Sequence, residues 1–146
     1  MAGRMTSEFA NLLRQRKLFR SRISNGMIRK EIRAAKNDLQ DAEDSLKQRK
    51  FKWATIQAYY SIFHSARGLL YRRGFREKSN HALLVAIREL YSNQLEKELV
   101  SSFEQSMELR QEADYGLEFS EGGAIDTVES ARNFLQRTKE LLMVKK

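Results

Sequence analysis

The segment that most constrains the fold is residues 51–73, because its apolar side chains follow helical spacing on two faces at once. One stripe contains Ile56, Tyr60, Phe63 and Leu70, and the other contains Tyr59, Ile62, Ala66 and Leu69. A helix that is apolar on two faces must be covered on both, since water-exposed apolar surface is unfavourable. The pattern therefore predicts a helix at the centre of a bundle.

The rest of the chain has the spacing expected of the surrounding helices. Residues 27–49 carry one narrow apolar seam, and further helices are predicted over 7–23, 79–91, 95–114 and 124–143. The sequence contains no proline. Short connections between long helices favour antiparallel neighbours. We therefore predict an all-α fold, an antiparallel up-and-down helical bundle of about five helices.

The positive charge is concentrated near the N-terminus. Residues 1–33 hold nine basic and two acidic residues, so this segment supplies seven of the eight net positive charges. Such a segment attracts phosphate backbones or acidic partners, although a solvated helix face has the same composition. A chain of 146 residues is long enough for one core. We predict one domain, in which residues 1–25 form a basic helical segment and residues 27–146 form the bundle.

Several classes of protein are excluded or disfavoured by composition. The absence of cysteine excludes disulfides, thiolate nucleophiles and cysteine zinc sites. No apolar run is long enough to span a membrane and no secretory signal is apparent, so we expect a cytoplasmic protein that does not contact membranes. No phosphate-binding loop or dinucleotide motif is present, and we expect no cofactor. We assign Asp38, Asp41 and Asp44 to a solvated helix face rather than to a metal site.

A basic turn follows the central segment and ends in a histidine. It contains five polar residues within ten positions: Arg72, Arg73, Arg76, Lys78 and His81. Histidine is the side chain whose ordinary pKa lies closest to neutral pH, and His81 follows Arg76 by five positions, which makes the pair Arg-x4-His. The second histidine, His64, lies in the middle of the central helix, where we expect a packed side chain. The turn is therefore the main candidate for chemistry.

Two longer motifs resemble a known family. Residues 58–74, AYYSIFHSARGLLYRRG, resemble the signature of the HEPN superfamily, in particular its small stand-alone UPF0332-type members. Residues 110–115, RQEADY, resemble the R..ADY element of that group, and the final helix contains the matching Ala131, Phe134 and Leu135. The resemblance covers about residues 28–143.

The resemblance implies both a fold and an activity. HEPN proteins are helical bundles and usually dimers, and many carry an Arg-x4–6-His motif at the dimer interface. Such members are metal-independent endoribonucleases and are often toxins of toxin–antitoxin pairs. Arg76 and His81 match the motif, but Glu77 stands where Asn, Asp or His is common, and Leu83 stands where some toxins have tyrosine. Other members bind nucleotides or are non-catalytic partners of small nucleotidyltransferases.

General chemistry supports the catalytic interpretation of the motif. Metal-free RNA cleavage needs a base for the 2′-hydroxyl, an acid for the leaving oxygen, and positive charge at phosphorus. In this hypothesis Arg76 stabilises the phosphate, His81 transfers protons, and a homodimer brings two histidines into one cleft. Arg72, Arg73 and Lys78 would steer RNA or a nucleotide. The alternatives are a non-catalytic nucleotide-binding or nucleotidyltransferase-partner module and a purely structural dimer.

The remaining polar and aromatic residues of the two motifs have a structural explanation. We expect Arg110, Asp114 and Tyr115 to fix a helix end through an ion pair or a cap. We expect Trp53 and Tyr59–Tyr60 to belong to the core rather than to a platform for stacking bases.

Overall fold

The computed structural model describes residues 6–114 and 119–143, except for the side chains of residues 112–114. Its elements in chain order are α1 (Ser7–Arg14), β1 (Leu18–Arg20), α2 (Asn25–Lys47), α3 (Phe51–Arg72), β2 (Phe75–Glu77), α4 (Asn80–Leu90), α5 (Lys97–Asp114) and α6 (Glu121–Met143). The predicted all-α class is confirmed. The described residues form six helices where about five were predicted, and also a two-stranded antiparallel sheet that was not predicted.

Helix α3 lies at the centre of the bundle, as its two apolar stripes predict. It packs against α2, α4, α5 and α6. Residues from both stripes are buried, including Ile56 and Leu70 from one and Tyr59 and Ile62 from the other. Burial of both faces removes apolar surface from water, which stabilises the bundle.

Small residues allow α2 to lie close along α3. The hydroxyl of Ser61 donates to the carbonyl of Ala35 at 2.8 Å, which joins the two antiparallel helices in the interior. A Cβ at Gly68 would lie only 3.0 Å from Cδ1 of Ile32. Glycine at this position therefore permits an approach that a larger residue would obstruct.

The N-terminal segment differs from the prediction of one helix over residues 7–23. Helix α1 ends at Arg14, and Arg16 has a left-handed φ of 57°, which ends the helical path. The chain then returns as β1 and pairs antiparallel with β2, with Leu18 opposite Glu77. The N-cap is Thr6, whose side chain accepts a hydrogen bond from the amide of the buried Phe9. The physical reason for the difference is that β2 offers unpaired backbone groups to this segment.

The connection from α3 to α4 follows its local sequence signals. Gly74 ends α3 with φ of 84°, a conformation that glycine adopts without steric cost. Ser79 then caps α4, because its hydroxyl accepts a hydrogen bond from the amide of Ala82 at 3.0 Å. Between these two signals lies β2 with Arg76, and the first turn of α4 carries His81.

Two further expectations are corrected. Helix α6 begins at Glu121 rather than at the predicted residue 124, so that Gly122 and Gly123 lie inside the helix. Ser120 caps it, because its hydroxyl accepts a hydrogen bond from the amide of Gly123. Trp53, expected in the core, has 53% of its surface exposed. Among the described helices, none has the length and apolar character needed to cross a membrane.

Candidate functional site

His81 lies in the first turn of α4 and faces the N-terminal segment. Its Nε2 is 2.9 Å from Oε2 of Glu8 on α1, and 62% of its side chain is exposed. A neutral imidazole that donates from Nε2 to this carboxylate keeps Nδ1 as a proton acceptor. The pair therefore orients a solvent-accessible base.

Arg76 lies on β2 and has different neighbours. It is opposite Phe19 in the strand pair, and its guanidinium carbon is 5.7 Å from the centroid of the Tyr71 ring. Among the described residues, no hydrogen bond or ion pair joins Arg76 to His81. The two motif residues thus occupy opposite ends of the connection from β2 to α4.

The other three basic residues of the turn extend in different directions. Arg72 donates to the carbonyl of Leu142 at 2.8 Å, on the C-terminal end of α6. Arg73 lies 4.5 Å from the centroid of the Tyr91 ring. Lys78 is exposed, with its Nζ 5.5 Å from the centroid of the Phe19 ring, the residue that pairs with Arg76. Of the three, Lys78 is therefore the one that shares a neighbour with Arg76.

The two departures from the HEPN pattern are both directed inward. The Glu77 side chain is only 7% exposed, and its Oε2 lies 3.1 Å from Nε of Arg67. Burial raises the pKa of Glu77, and the nearby Arg67 charge opposes this effect in part. Leu83 is fully buried in the core. Glu77 therefore belongs to a buried ion pair and Leu83 to the hydrophobic core.

A polar network between α2 and α3 was missed by the sequence analysis. Nδ1 of His64 is 2.8 Å from Oε1 of Glu31, and its Nε2 is 3.6 Å from Oδ2 of Asp38. NH1 of Arg67 lies 3.7 Å from the same Glu31 oxygen. Burial raises the pKa of Asp38, while the His64 charge lowers it. His64 is packed, as expected, but within a network of charged groups.

This network extends toward the motif arginine. Arg67 also donates to the hydroxyl of Tyr71, whose ring faces Arg76. The His64 and Arg67 pair has the i, i+3 spacing of one helix face, and Glu31 and Asp38 have the i, i+7 spacing of another. That spacing is the signal from which a contact between two polar stripes could have been inferred.

Arg110, on α5, contacts the central helix α3. NH2 of Arg110 donates to the Tyr60 hydroxyl at 3.0 Å, and its guanidinium lies 6.0 Å from the Tyr59 ring centroid. Burial raises the pKa of Tyr59 to about 12. Arg110 therefore ties α5 to α3. The Asp114 side chain and Tyr115 lie outside the described residues.

The acidic residues of α2 do not form a recognisable metal site. In the described part of the chain, no group of three or more His, Asp or Glu side chains is arranged to hold a metal ion. Asp41 and Asp44 are exposed, and Gln40 donates to Asp44. Only Asp38 of the three turns toward the polar network.

Comparison with protein families gives one match over most of the chain. A family model described as the HEPN domain matches residues 28–146. A UPF0332 protein of Archaeoglobus fulgidus is 30% identical over 111 residues, covering 74% of this chain and 89% of the relative. A UPF0332 protein of Thermotoga maritima is 28% identical over 114 residues, covering 75% of this chain and 86% of that relative.

A third relative and one solved structure complete the comparison. A Methanocaldococcus jannaschii protein named "Putative toxin MJ0605" is 31% identical over 128 residues, covering 82% of this chain and 95% of its own length. The crystal structure of TT1696 from Thermus thermophilus superposes with a TM-score of 0.66 at 19% identity, covering 77% of this chain and 96% of that chain. This likeness shows a shared fold. The match to the family begins after α1 and β1.

Proposed function

Since the chain belongs to the HEPN family, we propose that it is a metal-independent endoribonuclease that acts as a homodimer, with Arg76 and His81 as catalytic residues. The observation that carries the proposal is the accessibility of His81 at the end of the connection that begins with Arg76. The name of one relative, "Putative toxin MJ0605", supports a role as the toxin of a toxin–antitoxin pair.

The proposed reaction uses groups that the turn supplies. Nδ1 of His81 accepts the proton of the 2′-hydroxyl, whose oxygen attacks the adjacent phosphorus. The bond from phosphorus to the 5′-oxygen breaks, and that oxygen takes a proton from the protonated His81 of the second copy. Arg76 binds the non-bridging oxygens, where negative charge increases. The products are a 2′,3′-cyclic phosphate and a 5′-hydroxyl end.

Dimerisation has a chemical reason in this proposal. One chain supplies one histidine to the turn, whereas the reaction needs a base and an acid at the same time. A two-fold contact of two turns would place two His81 and two Arg76 side chains around one phosphate. A compartment containing RNA, the cytoplasm, is where such an enzyme would act.

A second candidate function is a non-catalytic module that binds a nucleotide or a small nucleotidyltransferase. It is favoured by one specific contact, the Glu8 carboxylate 2.9 Å from Nε2 of His81. A carboxylate in that position repels a phosphate from the imidazole. In this alternative the positive charge of Arg76 and Lys78 binds a phosphate group without cleavage.

The experiment that tests the proposal is cleavage of a labelled RNA by purified protein in excess chelator, with analysis of the product ends. Cyclic phosphate ends should form with the wild type and disappear in His81→Ala and Arg76→Ala. The matched control is Asn80→Ala, because Asn80 is exposed beside His81. An inert wild type that still binds nucleotide or a nucleotidyltransferase would favour the second candidate and overturn the first.

A further inference from the structure

A groove runs between the N-terminal half of α2 and the C-terminal end of α6, over the end of α3. We call it the α2–α6 groove; its volume is about 480 Å³. Its floor is apolar and consists of Ile28, Ile32, Leu142 and Met143. A Cβ at Gly68 would lie 3.0 Å from Ile32 and 3.9 Å from Leu142. The glycine therefore lets Ile32 lie low over α3, whereas Leu142 would be in ordinary van der Waals contact with such a Cβ.

The rim of the groove is entirely cationic. Its charged residues come from three helices and are Arg29, Arg33, Lys36, Arg72 and Lys139. No acidic side chain is among the described residues that line it. The three on α2 follow steps of four and three, so they form one row along the groove.

The rim charges lack acidic partners, in contrast to other surface arginines. Elsewhere Arg132 pairs with Glu43 at 2.7 Å and Arg137 with Glu96 at 2.9 Å. Within the described residues, four rim cations form no ion pair: Arg29, Arg33, Lys36 and Lys139. Arg72 bonds a carbonyl, which leaves its charge uncompensated. The groove thus combines unneutralised positive charge with exposed apolar surface, since Met143 is 80% exposed.

We propose that the α2–α6 groove binds an acidic amphipathic helix of a partner protein. Leucine-like side chains at helical spacing would fill the space between Ile32 and Leu142. Carboxylates on the flanks of that helix would reach the cations on both walls. The apolar floor and the cationic rim match the two faces of such a helix.

Two other occupants fit the groove less well. A single-stranded RNA would use the cations, but no aromatic ring among the described residues lines the groove for its bases to stack on. A second copy of the chain in a two-fold contact would bring the cationic rims against each other. The observations therefore favour the acidic helix.

The groove shares Arg72 with the basic turn, but neither Arg76 nor His81 lines it. Helical spacing places Arg29, Arg33 and Lys36 on one side of α2, and Glu31 and Asp38 on the other side, toward the polar network. The proposal consequently does not depend on RNA cleavage, and either can fail without the other.

The probe for the test is a fluorescein-labelled helical peptide of about four turns, with leucines at i, i+4 and i+7 and glutamates on both flanks. One control peptide replaces each glutamate by lysine, and another replaces each leucine by serine. Fluorescence anisotropy with the full chain should show saturable binding of the acidic amphipathic peptide alone. Absence of saturable binding, or equal binding of all three peptides, overturns the proposal.

Matched variants locate the binding surface. Lys36→Glu should weaken peptide binding by about tenfold or more, whereas Lys30→Glu, an exposed residue on the same helix outside the groove, should have little effect. Met143→Ser should also weaken binding, and the exposed Ile125→Ser on α6 should not. Equal losses within either matched pair would show that the peptide binds elsewhere.

Two further measurements distinguish the other occupants. If Lys36→Glu lowers the affinity for a single-stranded RNA while the peptide does not bind, the groove is an RNA surface and the proposal is wrong. If light scattering shows that Lys36→Glu, but not Lys30→Glu, dissociates a dimer, the occupant is a second copy and the proposal is equally wrong.

Discussion

Oε2 of Glu8 lies 2.9 Å from Nε2 of His81, so that the first turn of α1 directly contacts the first turn of α4. The same segment packs Phe9 against Phe75 with ring centroids 6.1 Å apart, and β1 pairs with β2. The residues before the matched HEPN region are therefore part of the candidate site. They hold both ends of the connection that carries Arg76 and His81.

Substitution of His81 should separate activity from stability. We predict that His81→Ala abolishes RNA cleavage and changes the free energy of unfolding by no more than about 1 kcal/mol, because its contact with Glu8 is a solvent-exposed polar pair. His64→Ala should lower that free energy by about 1–3 kcal/mol, since it leaves the largely buried Glu31 without its imidazole partner. Urea denaturation and the end-group assay measure the two effects.

A His81→Ala protein that cleaves RNA at the wild-type rate would exclude this residue as the proton-transfer group. Cleavage by folded His64→Ala should remain close to that of the wild type. Loss of cleavage in His64→Ala at full stability would move the chemistry to the α2–α3 polar network.

The N-terminal segment should contribute strongly to stability. Phe9 is 2% exposed, so we predict that Phe9→Ala lowers the free energy of unfolding by about 3–5 kcal/mol. Arg14→Ala, an exposed change in the same helix, should stay within about 0.5 kcal/mol of the wild type. If the two variants were equally stable by urea denaturation, the segment would not be packed in solution.

The basic charge of this segment is better tested by neutralisation than by deletion, because deletion removes buried Phe9, Leu12 and Leu18. If Arg14 and Lys17 contact RNA, the double change to glutamine should reduce the slope of log affinity against log salt by about 0.7 for each phosphate no longer neutralised. Lys52→Gln, on the first turn of α3, serves as the control. An unchanged slope in the double variant would mean that Arg14 and Lys17 lie on a solvated face and do not contact RNA.

The buried Glu77 should impose a pH dependence on stability. Burial raises the pKa of Glu77 in the folded protein above the ordinary value of 4.5. Between pH 4.5 and the folded-state pKa, the folded protein therefore holds this proton more tightly than the unfolded chain does. The free energy of unfolding contributed by this group therefore falls as pH rises from 4.5 through the folded-state pKa. Glu77→Gln should remove that fall.

The measurement is urea denaturation of wild type and Glu77→Gln at several pH values from 4.5 upward. Glu129→Gln, an exposed change on α6, is the control and should preserve the wild-type slope. Identical slopes in wild type and Glu77→Gln would show that this carboxyl ionises in the folded protein as it does in the unfolded chain.

The composite dimer site should be sensitive to mixed subunits. If each cleft needs His81 from both copies, refolding wild type with an excess of inactive His81→Ala should reduce cleavage roughly as the square of the wild-type fraction. Light scattering at tens of micromolar should show a dimer. Activity that falls only in proportion to the wild-type fraction, or a monomer by light scattering, would contradict a shared cleft.

Prediction from sequence succeeded where the deciding interactions are local. The two apolar stripes of α3 determine its central position, because a helix repeats its faces every 3.6 residues whatever lies next to it. The reasons at the next two positions are equally local. Gly74 ends α3 because glycine adopts a positive φ, and Ser79 caps α4 because its hydroxyl accepts a hydrogen bond from the amide of Ala82. These signals alone locate the basic turn between two helices.

The amino-acid sequence by itself thus determined the central helix, its end and the start of the next one. Only the tertiary structure decided that Leu18–Arg20 forms a strand against Phe75–Glu77, that Glu8 meets His81, and that Glu77 faces inward. The physical reason is distance along the chain. These contacts join residues that are far apart in sequence, and the spacing of apolar residues within one segment does not predict which distant segment it will contact. A basic, amphipathic N-terminal segment satisfies its backbone as helix or strand, and the exposed edge of β2 determines which.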